Sequence, residues 1–91
     1  MNFKIIYEDD DVFVVDKPAG IIVFDEGKNN DSESRRTVVD LLIEKYPKLV
    51  DVGRPHRYGV VHRLDKDTSG ILLVAKNNES LIFLQNQFKT R

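Results

Sequence analysis

A polar loop in the second half of the chain carries the residues best suited to chemistry. Residues 62–70 place the carboxylate of Asp65 between a His-Arg pair and a Thr-Ser-Gly turn. Apolar segments flank the loop at residues 59–61 and 71–75. Both read as short buried strands, because they are rich in β-branched residues and bounded by turn formers. A loop held between two strands is a common place for a catalytic or binding site.

Two other interpretations of this loop compete with a functional one. Asp, Thr, Ser and Gly all favour tight turns, so the segment can be a turn without chemistry. The spacing Asp65-x-Asp67-x-Ser69-Gly70 also matches the start of an EF-hand calcium loop. That loop requires a glutamate at its twelfth position, where this chain has Lys76, and a strand-like run follows instead of a helix. The sequence therefore predicts no calcium site, and we expect no metal site elsewhere.

Residues 59–76 as a whole resemble the signature of RluA-type RNA pseudouridine synthases. Residues 14–20 (Val-Val-Asp-Lys-Pro-Ala-Gly) are similar to the Lys-Pro-x-Gly motif that opens the catalytic domain of that family. Residues 84–89 are similar to the helix that follows its catalytic loop. Two motifs in the expected order, about 45 residues apart, make the resemblance specific.

The resemblance implies a domain organisation. Residues 1–91 would be the N-terminal half of a pseudouridine synthase catalytic domain, without a separate N-terminal RNA-binding domain. A tyrosine motif and a basic residue that contacts the catalytic aspartate in the family would lie beyond Arg91. A half domain leaves an exposed core edge, so we expect a homodimer or strand exchange through that edge.

The residue pattern predicts an α+β fold with a mostly antiparallel sheet and two helices, in the order β-β-(β)-α-β-β-α. A hairpin is expected from strands 3–7 and 12–15, with an optional third strand at 21–24 and a polar loop at 25–36. Thr37 should cap a helix with Asp40 as its capping-box partner, and Pro47 should end it. The last helix should be capped by Asn77 or Asn78 and bury Leu81, Leu84 and Phe88.

Charge is distributed unevenly along a chain whose net charge is only −1. Residues 1–34 carry three lysines against nine acids, whereas residues 35–91 carry eleven basic residues against six acids. The densest basic stretch, residues 54–66, adjoins the polar loop, as expected for a phosphate-rich partner. The chain has no cysteine and no apolar run long enough to span a membrane, so a soluble cytoplasmic protein is expected.

The resemblance also assigns roles to individual residues. Asp65 would be the catalytic carboxylate, acting either as a nucleophile at C1′ of the uridine or as a base at C2′. Arg63 would fill the space that the flipped uridine leaves in a structured rRNA or tRNA. No cofactor is needed, because the reaction is an isomerisation. Further RNA contacts are expected from Arg54, Arg57 and His56, and the loop would be positioned by His62, Thr68, Ser69 and Gly70.

Two other functions are compatible with the same residues. The chain can be a non-catalytic RNA-binding module that retains the catalytic loop. It can also be a carboxylate-based hydrolase such as a glycosidase, but most glycosidases need two carboxylates that flank the bond. Asp67 is the only nearby second carboxylate, and its spacing from Asp65 argues against that chemistry.

Overall fold

The computed structural model describes residues 3–24 and 37–89. Within them, strands β1 (Lys4–Glu8) and β2 (Val12–Lys17) precede helix α1 (Val38–Lys45) and a short 3₁₀ helix (Pro47–Asp51). Strand β3 (Gly70–Ala75) and helix α2 (Asn78–Lys89) follow. This is the predicted α+β arrangement of an antiparallel sheet with two helices. The polar loop expected at residues 25–36 lies outside the described residues.

The three strands form one antiparallel sheet in the order β1-β2-β3. The turn between β1 and β2 is closed by the Asp9 carboxylate, which accepts hydrogen bonds from the amides of Asp11 and Val12. Alternation along β2 turns Phe13, Val15 and Lys17 toward the core, and all three are buried. The central strand therefore delivers one lysine to the inner face of the sheet.

Two predicted strands are absent from the described part of the chain. Residues 21–24 are buried as expected but form no ladder, because the carbonyls of Ile22 and Val23 accept the first two amides of α1. Residues 59–61 reach the sheet edge through a single bridge between Val60 and Val74. Both segments are apolar because they are buried, and their backbones bond to neighbouring elements rather than to a full strand partner.

Helix α1 begins with the predicted capping box. The Thr37 hydroxyl accepts the Asp40 amide at 3.0 Å, and the Asp40 carboxylate accepts the Thr37 amide at 3.1 Å. Such a cap contributes about 1 kcal/mol to helix stability. The buried face of α1 includes Val38 and Leu42, and the helix ends at Lys45, before Pro47. The sequence prediction was right at both ends of this helix.

Helix α2 is tied to the rest of the fold at its N-terminus. The Asn77 side chain caps it by accepting the Ser80 amide, while the Asn78 side chain bonds the Gly53 amide and the Asp51 carbonyl. Of the predicted inner face, Leu81 is buried, Leu84 is half-buried and Phe88 is 38% exposed. Phe88 is thus less buried than expected, and its neighbours Ile82 and Phe83 are 60% and 61% exposed. Neither helix in the described ranges is long and apolar enough to cross a membrane.

Candidate active site

The polar loop of residues 62–69 leaves the sheet edge at the Val60–Val74 bridge and returns as β3. Gly59 brings the chain to this edge. Its φ is +70°, and an added Cβ would collide with the carbonyl oxygen of Ala75, while the Ala75 amide donates a hydrogen bond to the Gly59 carbonyl at 2.7 Å. Leu64 is half-buried against the core and anchors the loop from within. The loop therefore stands on the sheet with one apolar anchor and polar residues around it.

Lys17 holds the loop from below. Its side chain is 0% exposed, and its ammonium donates to the carbonyls of Thr68 at 2.7 Å, Pro18 at 3.0 Å and Lys66 at 3.1 Å. The Gly20 amide also donates to the Lys66 carbonyl, at 2.7 Å. The Lys-Pro-Ala-Gly segment and the polar loop, far apart in sequence, are thus joined by three hydrogen bonds to backbone oxygens of the loop.

Burial disfavours the charged form of Lys17, whereas two nearby carboxylates favour it. Burial lowers the pKa of Lys17, while attraction to Asp67 and then Asp65 acts in the opposite direction. Three carbonyl acceptors satisfy the three protons of the ammonium. The lysine is therefore a structural clamp whose positive charge lies beneath the two aspartates of the loop.

Asp65 is exposed on this clamped loop. The Thr68 amide donates to the backbone carbonyl of Asp65 at 3.0 Å and closes a tight turn. This amide therefore fixes the backbone of Asp65 rather than its carboxylate. No hydrogen bond from another described residue to the Asp65 carboxylate is present, and the residue is accessible to a ligand.

Two arginines meet on one buried aromatic ring. The guanidinium carbon of Arg63 lies 4.7 Å from the centroid of Phe24, and that of Arg57 lies 5.0 Å from it. Arg57 also lines a cleft of about 450 Å³ together with Arg54, between residues 53–60 and α2. In this way the structure brings three of the predicted RNA-contacting residues to neighbouring positions.

The two histidines differ in their surroundings. The His62 ring lies 4.8 Å from the ring of Phe88 in α2, and burial lowers the pKa of His62 below its usual value. His62 thus packs the start of the loop against the last helix. His56 is exposed, has a φ of +71°, and its ring lies 6.4 Å from that of Tyr58. No contact among the described residues links the His56 side chain to the loop of Asp65.

The described residues contain no group of three or more His, Cys, Asp or Glu side chains that could hold a metal ion.

Comparison with known proteins identifies the family. The model of the RNA pseudouridylate synthase family matches residues 11–91, which include the clamp, the loop and both arginines. The chain belongs to the RNA pseudouridylate synthase family. It is 40% identical over 91 residues to an uncharacterized RNA pseudouridine synthase of Helicobacter pylori strain J99. It is 46% identical over 72 residues to the ribosomal large subunit pseudouridine synthase D of Yersinia pestis.

These relatives are much longer than the chain. It spans 27% of the Helicobacter pylori protein and 20% of the Yersinia pestis protein. The structure also resembles human RNA pseudouridylate synthase domain containing 4, with a TM-score of 0.64, 24% identity and coverage of 94% of this chain and 29% of the human chain. That likeness shows that the described fold is the one found in this part of a pseudouridylate synthase.

Sequence reasoning found the loop but not the residues that support it. Lys17 was expected to be structural, and its place beneath the loop could have been inferred from alternation along β2, which puts it on the face of Phe13 and Val15. No pattern in the sequence indicated that Phe24 contacts the loop. Its contact with Arg63 joins residues 39 positions apart, and only the folded chain brings them together.

Proposed function

We propose that this chain carries the catalytic loop of an RNA pseudouridine synthase, with Asp65 as the catalytic carboxylate. Membership of the family supports this reaction. The observation that carries the proposal is the clamp, in which Lys17 and Gly20 bond the carbonyls of the Asp65 loop. It joins the two motifs of the chain at the loop that carries the exposed carboxylate of Asp65.

The reaction breaks the N1–C1′ bond of uridine, rotates the base and forms a C5–C1′ bond, with loss of the proton from C5. Asp65 acts at the sugar, either by attacking C1′ or by removing a proton from C2′. Both roles need a carboxylate that is reachable and whose backbone is fixed. The exposed side chain and the Asp65–Thr68 turn meet those requirements. The isomerisation needs no redox partner and no group donor.

The partner in this proposal is a structured RNA. A uridine stacked in a helix must be flipped out before a carboxylate can reach its sugar. Arg63, two residues before Asp65, would take the vacated place, because a planar guanidinium both stacks and donates hydrogen bonds. Arg54, Arg57 and His56 would contact the phosphate backbone.

The substrate we propose is ribosomal RNA. The Yersinia pestis relative is named for the large ribosomal subunit, and the chain is 46% identical to it over the matched region. Transfer RNA is the other structured RNA that the sequence analysis expected. Self-association, also expected there, stays a prediction that light scattering of the chain can test.

The test is release of tritium from C5 of uridine in unmodified large-subunit ribosomal RNA. The 91 residues alone are expected to be an incomplete catalyst. Any release by the unaltered chain should be lost in Asp65→Ala, whereas RNA affinity in a gel shift should stay within about twofold. Asp67→Ala is the matched control, since it makes the same change two residues away and should retain release. Activity that survives Asp65→Ala would contradict the assignment of the carboxylate. RNA binding without any release would show that these residues alone do not suffice for catalysis, and it is also the result expected of the alternative, a non-catalytic RNA-binding module.

A further inference from the structure

Phe24 is placed differently from the other core residues. It follows the two residues whose carbonyls accept the first amides of α1, so its backbone is fixed against that helix. Its ring is only 3% exposed, and the guanidinium groups of Arg57 and Arg63 lie 5.0 and 4.7 Å from its centroid. The ring is therefore an anchored platform on which two separate loops rest.

The arrangement brings like charges together. Two groups that are each about 5 Å from one centroid lie within about 10 Å of each other, or one Debye length at 0.1 M salt. Their repulsion is offset because a guanidinium within about 6 Å of an aromatic face is attracted by the ring quadrupole. Neither arginine has a salt bridge to an acid in the described part of the chain.

We propose that Phe24 is a positioning residue that holds Arg57 and Arg63 as a preformed pair for the RNA beside the catalytic loop. The proposal rests on the proposed function and adds to it a residue that touches no substrate. Arginine side chains are rotationally free in solution, and fixing them before binding removes an entropy cost from association. Because Arg63 lies on the loop of Asp65 and Arg57 on the preceding loop, one ring sets the spacing of two RNA contacts.

The first test measures binding to an unmodified RNA stem–loop that has unpaired uridines, at several salt concentrations. Phe24→Leu keeps an apolar side chain but removes the ring face, so we expect affinity to fall about five- to thirtyfold, as for the loss of two cation–π contacts. The slope of log affinity against log salt should stay unchanged, because both arginines keep their charge. Arg57→Ala, which removes a proposed phosphate contact, should lower that slope by about one.

Phe13→Leu is the matched control. Phe13 is also a buried phenylalanine, but the cation over its ring is Lys76 and not one of the two arginines. This change should weaken the fold without altering RNA affinity of the folded fraction. In an Arg57→Ala/Arg63→Ala background, Phe24→Leu should have no further effect on binding.

The results separate the two proposals. If the arginine substitutions weaken binding but Phe24→Leu does not, or if its effect persists without the arginines, positioning by Phe24 is refuted and the proposed RNA contacts stand. If the arginine substitutions leave binding unchanged, both the proposed RNA contacts and positioning by Phe24 are refuted.

A measurement on the unaltered chain tests the proposal even if the Phe24→Leu variant fails to fold. The Nε–H order parameters of Arg57 and Arg63, measured by NMR without RNA, should exceed that of Arg54, which lies in the same basic stretch but has no aromatic partner among the described residues. Equal order parameters for all three would overturn the proposal.

Discussion

The Lys17→Met substitution tests the clamp beneath the loop most directly. Methionine has a similar length and is accommodated in a buried position, but it cannot donate a hydrogen bond. The change removes three charge-assisted hydrogen bonds, which contribute roughly 1.5–3 kcal/mol each. Removing a buried ammonium also removes its desolvation penalty of several kcal/mol. The difference leaves a net loss of about 1–3 kcal/mol in the free energy of unfolding.

Chemical and thermal unfolding, followed by circular dichroism, measure this loss. For a chain of this length, a destabilisation of that size lowers Tm by about 5–15 °C. Lys48→Met is the matched control, since Lys48 is exposed in the 3₁₀ helix and its substitution should change Tm by no more than about 2 °C. A Lys17→Met variant as stable as the control would refute the reasoning about the clamp.

Amide hydrogen exchange locates the effect. The Gly20 amide bonds the Lys66 carbonyl and the Thr68 amide closes the turn at Asp65, so both should exchange faster in Lys17→Met. The exchange rates of amides in the centre of β2 should change only as far as the free energy of unfolding of the whole fold changes. If tritium release falls together with protection at these two amides, the clamp acts by placing the loop. Unchanged protection at both would show that the loop does not depend on the lysine.

Two further perturbations test the base and the start of the loop. Gly59→Ala should destabilise the fold by about 2–4 kcal/mol, since strain at positive φ is joined by a collision with the Ala75 carbonyl. Gly20→Ala is the control for backbone strain alone, because Gly20 has a φ of +100° and open space around the added Cβ. An equal loss in the free energy of unfolding from both variants would contradict the proposed collision at Gly59. Burial lowers the pKa of His62, so the unfolded state takes up a proton first as the pH falls through about 6.5, and the free energy of unfolding decreases. In His62→Gln this decrease between about pH 7 and 5.5 should be smaller. Exposed His56→Gln is the control, and an unchanged acid slope in His62→Gln would contradict the burial argument.

The parts of the fold that were predictable from sequence are those set by local chemistry. The Thr37–Asp40 capping box, the stop before Pro47 and the cap at Asn77 are side-chain-to-backbone interactions within a few residues, and the sequence analysis located each of them. The Asp65 loop was recognisable because its residue types and their order are specific. Whether it is catalytic still depends on the proposed experiments.

The misjudged elements depend on contacts between distant segments. Residues 21–24 and 59–61 have strand-like composition, but an apolar run reports burial and does not say which backbone receives its hydrogen bonds. Here the start of α1 pairs with the first segment, and the second segment pairs with β3 only around the Val60–Val74 bridge. Phe88 shows the same limit, because helical spacing marks a face without showing how completely it is covered, and Phe88 stays 38% exposed beside the ring of His62.

The site separates the groups that hold the loop from the group proposed to react. Lys17 is attracted by Asp65 but donates its three protons to carbonyl oxygens, so among the described residues it forms no ion pair with that carboxylate. A direct Lys17–Asp65 salt bridge would have occupied oxygens that, in the proposed role, must reach the sugar. The bonds to the carbonyls of Lys66 and Thr68 and the turn at Thr68 instead fix the backbone at Asp65 and just after it. A buried lysine bonded to carbonyl acceptors thus positions the loop without engaging the Asp65 side chain, as the role proposed for Asp65 requires.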